Sequence, residues 1–140
     1  MEKYRLFDHT ADIGMEIFGR TKHELFSNAA WALENVLLTR GEQCTNSGRR
    51  KTITVEGADV ADLLINFLRE LLYLFNGLGL VMKNCTVAEC RTRRLVVQLV
   101  VEPFNDREHV IKTELKAVTY HGLNVEKIKT GWKARVVFDV

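Results

Sequence analysis

Between Asp59 and Gly79, the chain places Leu63, Leu64, Phe67, Leu68, Leu71, Leu72, Leu74 and Phe75 at helical spacing. No other feature restricts the fold as strongly. An apolar stripe this wide does not lie on a solvated surface, so the helix must be covered from more than one side. Asp59 and Asp62 stand where a helix N-terminus favours carboxylates. Asn76-Gly77 and Gly79 supply the stop. A second helix is announced by Thr21-Lys22-His23-Glu24, a capping box. Behind it Leu25, Phe26, Ala29, Ala30, Leu33, Val36 and Leu37 recur at helical spacing, with an end expected near Thr39 to Gly41.

The covering layers are read from alternation. Tyr4 to Phe7, Ile13 to Phe18, Lys51 to Glu56, Leu80 to Met82, Thr86 to Arg91 and Leu95 to Val101 suit strands. Val110 to Tyr120, Asn124 to Lys129 and Trp132 to Val140 complete the set, with Thr92-Arg93 and Gly131 as turns. Gly41 to Arg50 and Pro103 to His109 read as polar loops. The order predicts one α+β domain over residues 1–140, with mostly antiparallel β-sheets and two covering helices. Each half carries strands and one helix, as an internal duplication would, yet the apolar identities do not repeat.

Composition narrows the function classes. A chain of 140 residues that is 46% hydrophobic and 27% charged, with one proline, can build a core without staples. A net charge of +2 gives no general pull toward polyanions. No apolar run reaches the roughly 18 residues of a membrane span. Met1-Glu2-Lys3-Tyr4-Arg5 is charged and has no apolar signal core, so a cytoplasmic protein is expected. Cys44, Cys85 and Cys90 lack metal spacing and read as reduced thiols. Cys85 and Cys90, five apart in a strand-like run, are expected on opposite faces. Arg49-Arg50-Lys51 and Arg91, Arg93 and Arg94 suit RNA phosphates or solvated turns, and no aromatic-rich strand accompanies them. No P-loop, nucleophile elbow, zincin motif or dinucleotide fingerprint is present.

The chemistry concentrates at the two ends of the chain. Asp8-His9-Thr10-Ala11-Asp12-Ile13-Gly14 packs two carboxylates and an imidazole between two strand-like runs. Such a knot is either a divalent-cation site or an Asx turn. Its oxygen donors favour calcium, magnesium or manganese over zinc. In Trp132 to Val140, the even positions share one face, and Lys133, Arg135, Val137 and Asp139 share the other. Asp139 is therefore either a solvated carboxylate or, with the oxygens of the last residue, Val140, part of a second acidic knot. Lys112 to His121 alternates strictly, with Leu115, Ala117 and Thr119 on one face and Glu114, Lys116, Val118 and Tyr120 on the other. Cross-strand charge pairing or a partner surface would each explain that.

Taken together, Asp8 to Gly14, Lys116-Ala117-Val118-Thr119-Tyr120-His121, the ending Val137-Phe138-Asp139-Val140 and the helix Leu63 to Leu74 resemble the archease family. The resemblance runs the length of the chain. It implies an accessory protein, not an enzyme in its own right, that assists an RtcB-type tRNA-splicing RNA ligase. It implies promotion of ligase guanylylation and of multiple turnover, with tRNA met through the ligase and no membrane. It also implies a bound divalent metal, calcium first, with manganese or magnesium as alternatives. Asp12, Asp139 and Val140 occupy the ligand positions, and Asp8, His9 and Lys116 stand as surrounding or partner-contacting residues. Two other readings stay open: a metal-dependent phosphoester hydrolase built on Asp8, His9 and Asp12, and a general RNA-binding or chaperone-like module.

Overall fold

The structure, a computed structural model, describes residues 2–9, 12–40 and 48–140. Thr10 and Ala11 of the acidic knot, and Cys44 with most of the Gly41 to Arg50 stretch, lie outside the described residues. In chain order the elements are β1 (Tyr4–His9), β2 (Asp12–Gly19), α1 (Lys22–Leu37), β3 (Leu38–Arg40), β4 (Arg49–Glu56) and α2 (Val60–Asn76). They continue as β5 (Leu80–Cys90), β6 (Arg94–Pro103), β7 (His109–Ile111), β8 (Ala117–Ile128) and β9 (Gly131–Asp139). A four-stranded antiparallel sheet has the order β1-β2-β9-β8, and a three-stranded one the order β4-β6-β5. β3 and β7 form a separate ribbon. Both helices touch strands of both larger sheets, α1 against β2 and β5, α2 against β8 and β4. One contiguous core joins the layers, with Phe26 and Phe67 meeting edge to face between the helices. This is the two-sided cover that the α2 stripe demands. No helix among the described residues is long and apolar enough to cross a membrane.

The structure contains one supersecondary unit twice. At the head of α1, Thr21 Oγ1 accepts from the Glu24 N–H, and at the head of α2, Asp59 Oδ1 accepts from the Asp62 N–H. One turn later Asn28 donates to the Phe18 carbonyl and Asn66 to the Glu56 carbonyl, each tying a helix back to its preceding strand. Gly19 and Gly57 sit where a Cβ would collide with the backbone nitrogens of Leu25 and Leu63. Each pair is 38 positions apart (19 to 57, 21 to 59, 28 to 66). The hairpin β5-β6 then sets β6 beside β4, as the hairpin β8-β9 sets β9 beside β2. One βαββ unit is thus nested inside the other. The repeat is carried by glycine, cap and asparagine, and not by the apolar identities.

Several sequence expectations shift. α1 stops at Leu37, and Leu38 to Arg40 leave the helix to pair with β7 as β3. Arg49 and Arg50 belong to β4 rather than to a loop. Leu80 to Cys90 is one strand with irregular register near Lys83 and Ala88. Ala88 is extra against its partner strand, so parity inverts there. Cys85 pairs with Leu99 and Cys90 with Leu95, both core positions, so the two thiols share a face instead of opposing each other. Burial pushes the Cys85 thiol up to about 12. Against an ordinary value of 9.0, that leaves roughly a thousandfold less thiolate at neutral pH. Alkylation of the native protein at pH 8, read per cysteine by mass spectrometry, should therefore be far slower at Cys85 than in urea. Equal rates in the two conditions would contradict this placement.

The run Val110 to Tyr120 is not one strand either. Residues 112–116 leave the sheet, so Leu115 is buried although it shares parity with the outward Ala117, and Val118 turns inward opposite Phe138.

Candidate functional site

Register brings the two ends of the chain together. His9 pairs with Asp12, Asp12 with Asp139, and Asp139 with Ala117, forming one row across all four strands of the larger sheet. Ile13, Met15 and Ile17 pair with Phe138, Val136 and Ala134 and line the helix-facing side. Asp12 and Asp139 therefore share the outward side. Asp139 and Val140 are exposed, and Asp12 is half-buried. The Lys116 N–H donates to the Asp139 carbonyl at 2.8 Å, which leaves the Asp139 carboxylate as that residue's donor toward the row. Lys116 itself is exposed beside it. Asp8 is not in the row: it pairs with Ile13 and has the parity of the opposite side.

Two carboxylates directly opposite in an antiparallel pair repel each other. These carboxylates and the neighbouring Val140 carbonyl are oxygen donors, the kind that hard cations such as calcium take. The donor chemistry of Asp12, Asp139 and Val140 thus suits a divalent cation.

What stands behind the row explains why Gly14 closes the motif. A Cβ at Gly14 would run into the Phe7 ring, so the ring lies over bare backbone. Arg135 stacks on that ring at 3.9 Å from its centroid. Farther along, Lys133 pairs with Glu16 at 2.8 Å, and that hydrogen bond holds the Glu16 carboxyl below its usual range. Val137, an outward position opposite Gly14, is buried in consequence. The outward side is therefore packed and charge-paired behind the row.

The family model described as the Archease protein family matches residues 4–140. The chain belongs to the archease family. It is 38% identical to the archease of Methanosarcina acetivorans, covering 99% of this chain and 97% of that protein. The archease of Pyrococcus furiosus is 35% identical with full coverage of both chains. The solution structure of protein 1598 of Methanobacterium thermoautotrophicum superposes with a TM-score of 0.75 at 31% identity, covering all of both chains. A crystal structure from Thermotoga maritima, described as an archease and possible chaperone, shares the fold with a TM-score of 0.61 at 23% identity, over 96% of this chain and 94% of that one.

Elsewhere in this archease chain, one other group of candidate ligands converges among the described residues. A donor atom each from Glu102, Glu108 and His109 lies within 4.8 Å of the others. The imidazole is already committed. Its Nδ1 accepts from the Asn105 N–H at 2.9 Å, which puts the proton on Nε2, 2.9 Å from Glu102 Oε1. Lys83 Nζ stands 3.4 Å from the other Glu102 oxygen. With no ring lone pair left, the group reads as a buried network that closes the loop 104–108 onto β6. Sequence had placed His109 in a polar loop; it is buried at the start of β7, against Phe104.

The basic clusters do not pool. Arg49 pairs with Val101 and Arg94 with Glu56, at opposite ends of the three-stranded sheet. Arg91 is held by Glu89, and Arg94 stands near both Glu56 and Glu89. Sequence reasoning missed a different cationic feature. Tyr120 donates its hydroxyl to Asp62 at 3.0 Å, while the Arg69 guanidinium covers the Tyr120 ring at 4.7 Å. The Ala58 N–H and the Tyr120 hydroxyl hold the Asp62 carboxyl below its usual range. Asp62 and Arg69, seven apart on a helix read only for its apolar side, were the available signal.

Proposed function

We propose that this archease is an accessory protein that activates an RtcB-type tRNA-splicing RNA ligase, promoting its guanylylation and its multiple turnover. The observation that supports the reading is the pairing of Asp12 with Asp139 beside Val140 at one end of the four-stranded sheet. Asp12, Asp139 and Val140 would hold a divalent cation, with calcium the best match to an all-oxygen set and manganese or magnesium the alternatives. When bound, such an ion supplies positive charge suited to phosphoryl-transfer chemistry. The chain's own part is positional. Two strands and a packed backing present the carboxylates as a fixed tip, and Lys116 adds a cation beside them. Accessory action fits this surface better than independent hydrolysis, because Asp8, one of the three residues a hydrolase reading requires, lies on the other side of the sheet from Asp12.

The test is a guanylylation assay on an RtcB-type ligase, with and without this protein. The expected result is faster ligase–GMP formation and continued turnover when substrate exceeds ligase. No change in either quantity would overturn the reading. Hydrolysis of a model phosphodiester by the purified protein alone would favour the enzyme alternative.

A further inference from the structure

A second feature lies one strand away from the acidic row. A groove of about 330 Å³ runs between α2 and the start of β8. Arg69, Leu72, Tyr73 and Asn76 line one wall, a single side of the helix at i, i+3, i+4 and i+7. The opposite wall is Lys116 to Val118. The walls are braced at both ends. Asn76 donates to the Leu115 carbonyl at 2.8 Å, pinning the irregular segment that leads into β8. At the other end Tyr120, lifted out of β8 by a register shift between Thr119 and Asn124, ties back to Asp62 and Arg69 on the helix. Large side chains nonetheless stay in solvent here: Tyr73 is 54% exposed and Tyr120 53%.

We infer that this groove is the docking site for a segment of the partner ligase that carries one acidic side chain next to an apolar one. The inference rests on the activator reading above. The chemistry of the walls selects the occupant. Arg69 and Lys116 offer cations for one carboxylate, and Leu72, Val118 and the Tyr73 ring offer apolar contact. Exposed Tyr and Arg over a small apolar floor are the side chains that most often anchor protein interfaces. Charge layout argues against nucleic acid. Asp62, tied to Tyr120, stands near one end of the groove. A polyanion lying along the groove would carry its phosphates onto Asp62, whereas a single carboxylate meets the two cations alone. Position gives the dock its purpose. Ala117 and Asp139 are opposite one another on adjacent strands, about 5 Å apart. β8 is the edge strand of the sheet, so a segment seated in the groove holds the ligase at the edge that adjoins the acidic row.

The experiment measures binding of the full-length chain to the ligase by calorimetry, for wild type, Tyr73→Ala, Lys116→Glu and a control, Thr52→Glu, on the exposed side of β4. Both groove variants should weaken binding about tenfold or more, and the control should match wild type. Circular dichroism should stay unchanged in all three variants, and calcium titration in Tyr73→Ala and Thr52→Glu; Lys116 stands beside the acidic row, so its variant is read on ligase affinity. Groove variants that bind as tightly as a binding-competent wild type overturn the groove while leaving the activator reading intact. A wild type that neither binds nor stimulates the ligase overturns both. Loss of affinity for a single-stranded RNA oligonucleotide, with ligase affinity kept, would assign the groove to RNA and overturn the inference as well.

Discussion

Asp12→Ala should reduce stimulation of ligase guanylylation to the level of ligase alone, with the fold intact. Asp12 is the first residue of β2, paired with His9 on one side and Asp139 on the other. Its loss takes one of two opposed carboxylates out of the row, and a cation then has one side-chain donor in place of two. The strand has anchors of its own in the core. Met15 and Ile17, both fully buried, anchor β2 to the core three and five residues on. The anchors of β2 lie elsewhere, so the fold should survive the change, as circular dichroism would check. Calcium titration by calorimetry should show the loss of affinity directly. A folded Asp12→Ala variant that stimulates the ligase like wild type, at limiting protein, would remove the acidic row from the mechanism.

Parts of this row were legible before any coordinates. Strict alternation in Trp132 to Val140 fixes which residues share a side, and Asp139 does fall on the solvated one. Alternation around Ile13 to Phe18 does the same for β2. What pattern alone does not supply is which strand pairs with which, or in what register, because that is decided by contacts distant in sequence. The family resemblance bridged that gap for Asp12 and Asp139. It did not separate Asp8 from His9; alternation puts them on opposite sides, but which one shares the side of Asp12 follows only from the register of the hairpin. Irregular register escaped entirely. One extra residue at Ala88 carries Cys90 to the same side as Cys85, and nothing in the local sequence marks it. The shift in β8 between Thr119 and Asn124, where the Tyr120 side chain reaches α2, is hidden in a run that reads as ordinary strand. The nested repeat was obscured for another reason. Helix caps and the Asn28 and Asn66 ties are single polar residues, and a search for recurring apolar identity passes over them.

The helix that most constrained the fold also gives the largest expected loss of stability. Leu68 is fully buried and belongs to the continuous core shared by both helices and both larger sheets. Leu68→Ala should lower the unfolding free energy by about 2–5 kcal/mol, the range for a core leucine truncated to alanine. The upper half of that range is expected, because the surrounding strands are paired in sheets and cannot easily close on the cavity. Against a total of roughly 5–15 kcal/mol for a domain, this is a large fraction. Urea unfolding followed by circular dichroism, with the slope held common, measures it. The neighbouring Tyr73→Ala is the informative contrast. Tyr73 lies on the same helix but is more than half exposed, so its truncation should change stability by no more than about 0.5 kcal/mol. A loss below about half a kcal/mol for Leu68→Ala would deny that α2 is enclosed between the layers. The two variants together separate the sides of one helix. Truncation on the enclosed side costs stability, and truncation at the groove costs partner affinity alone.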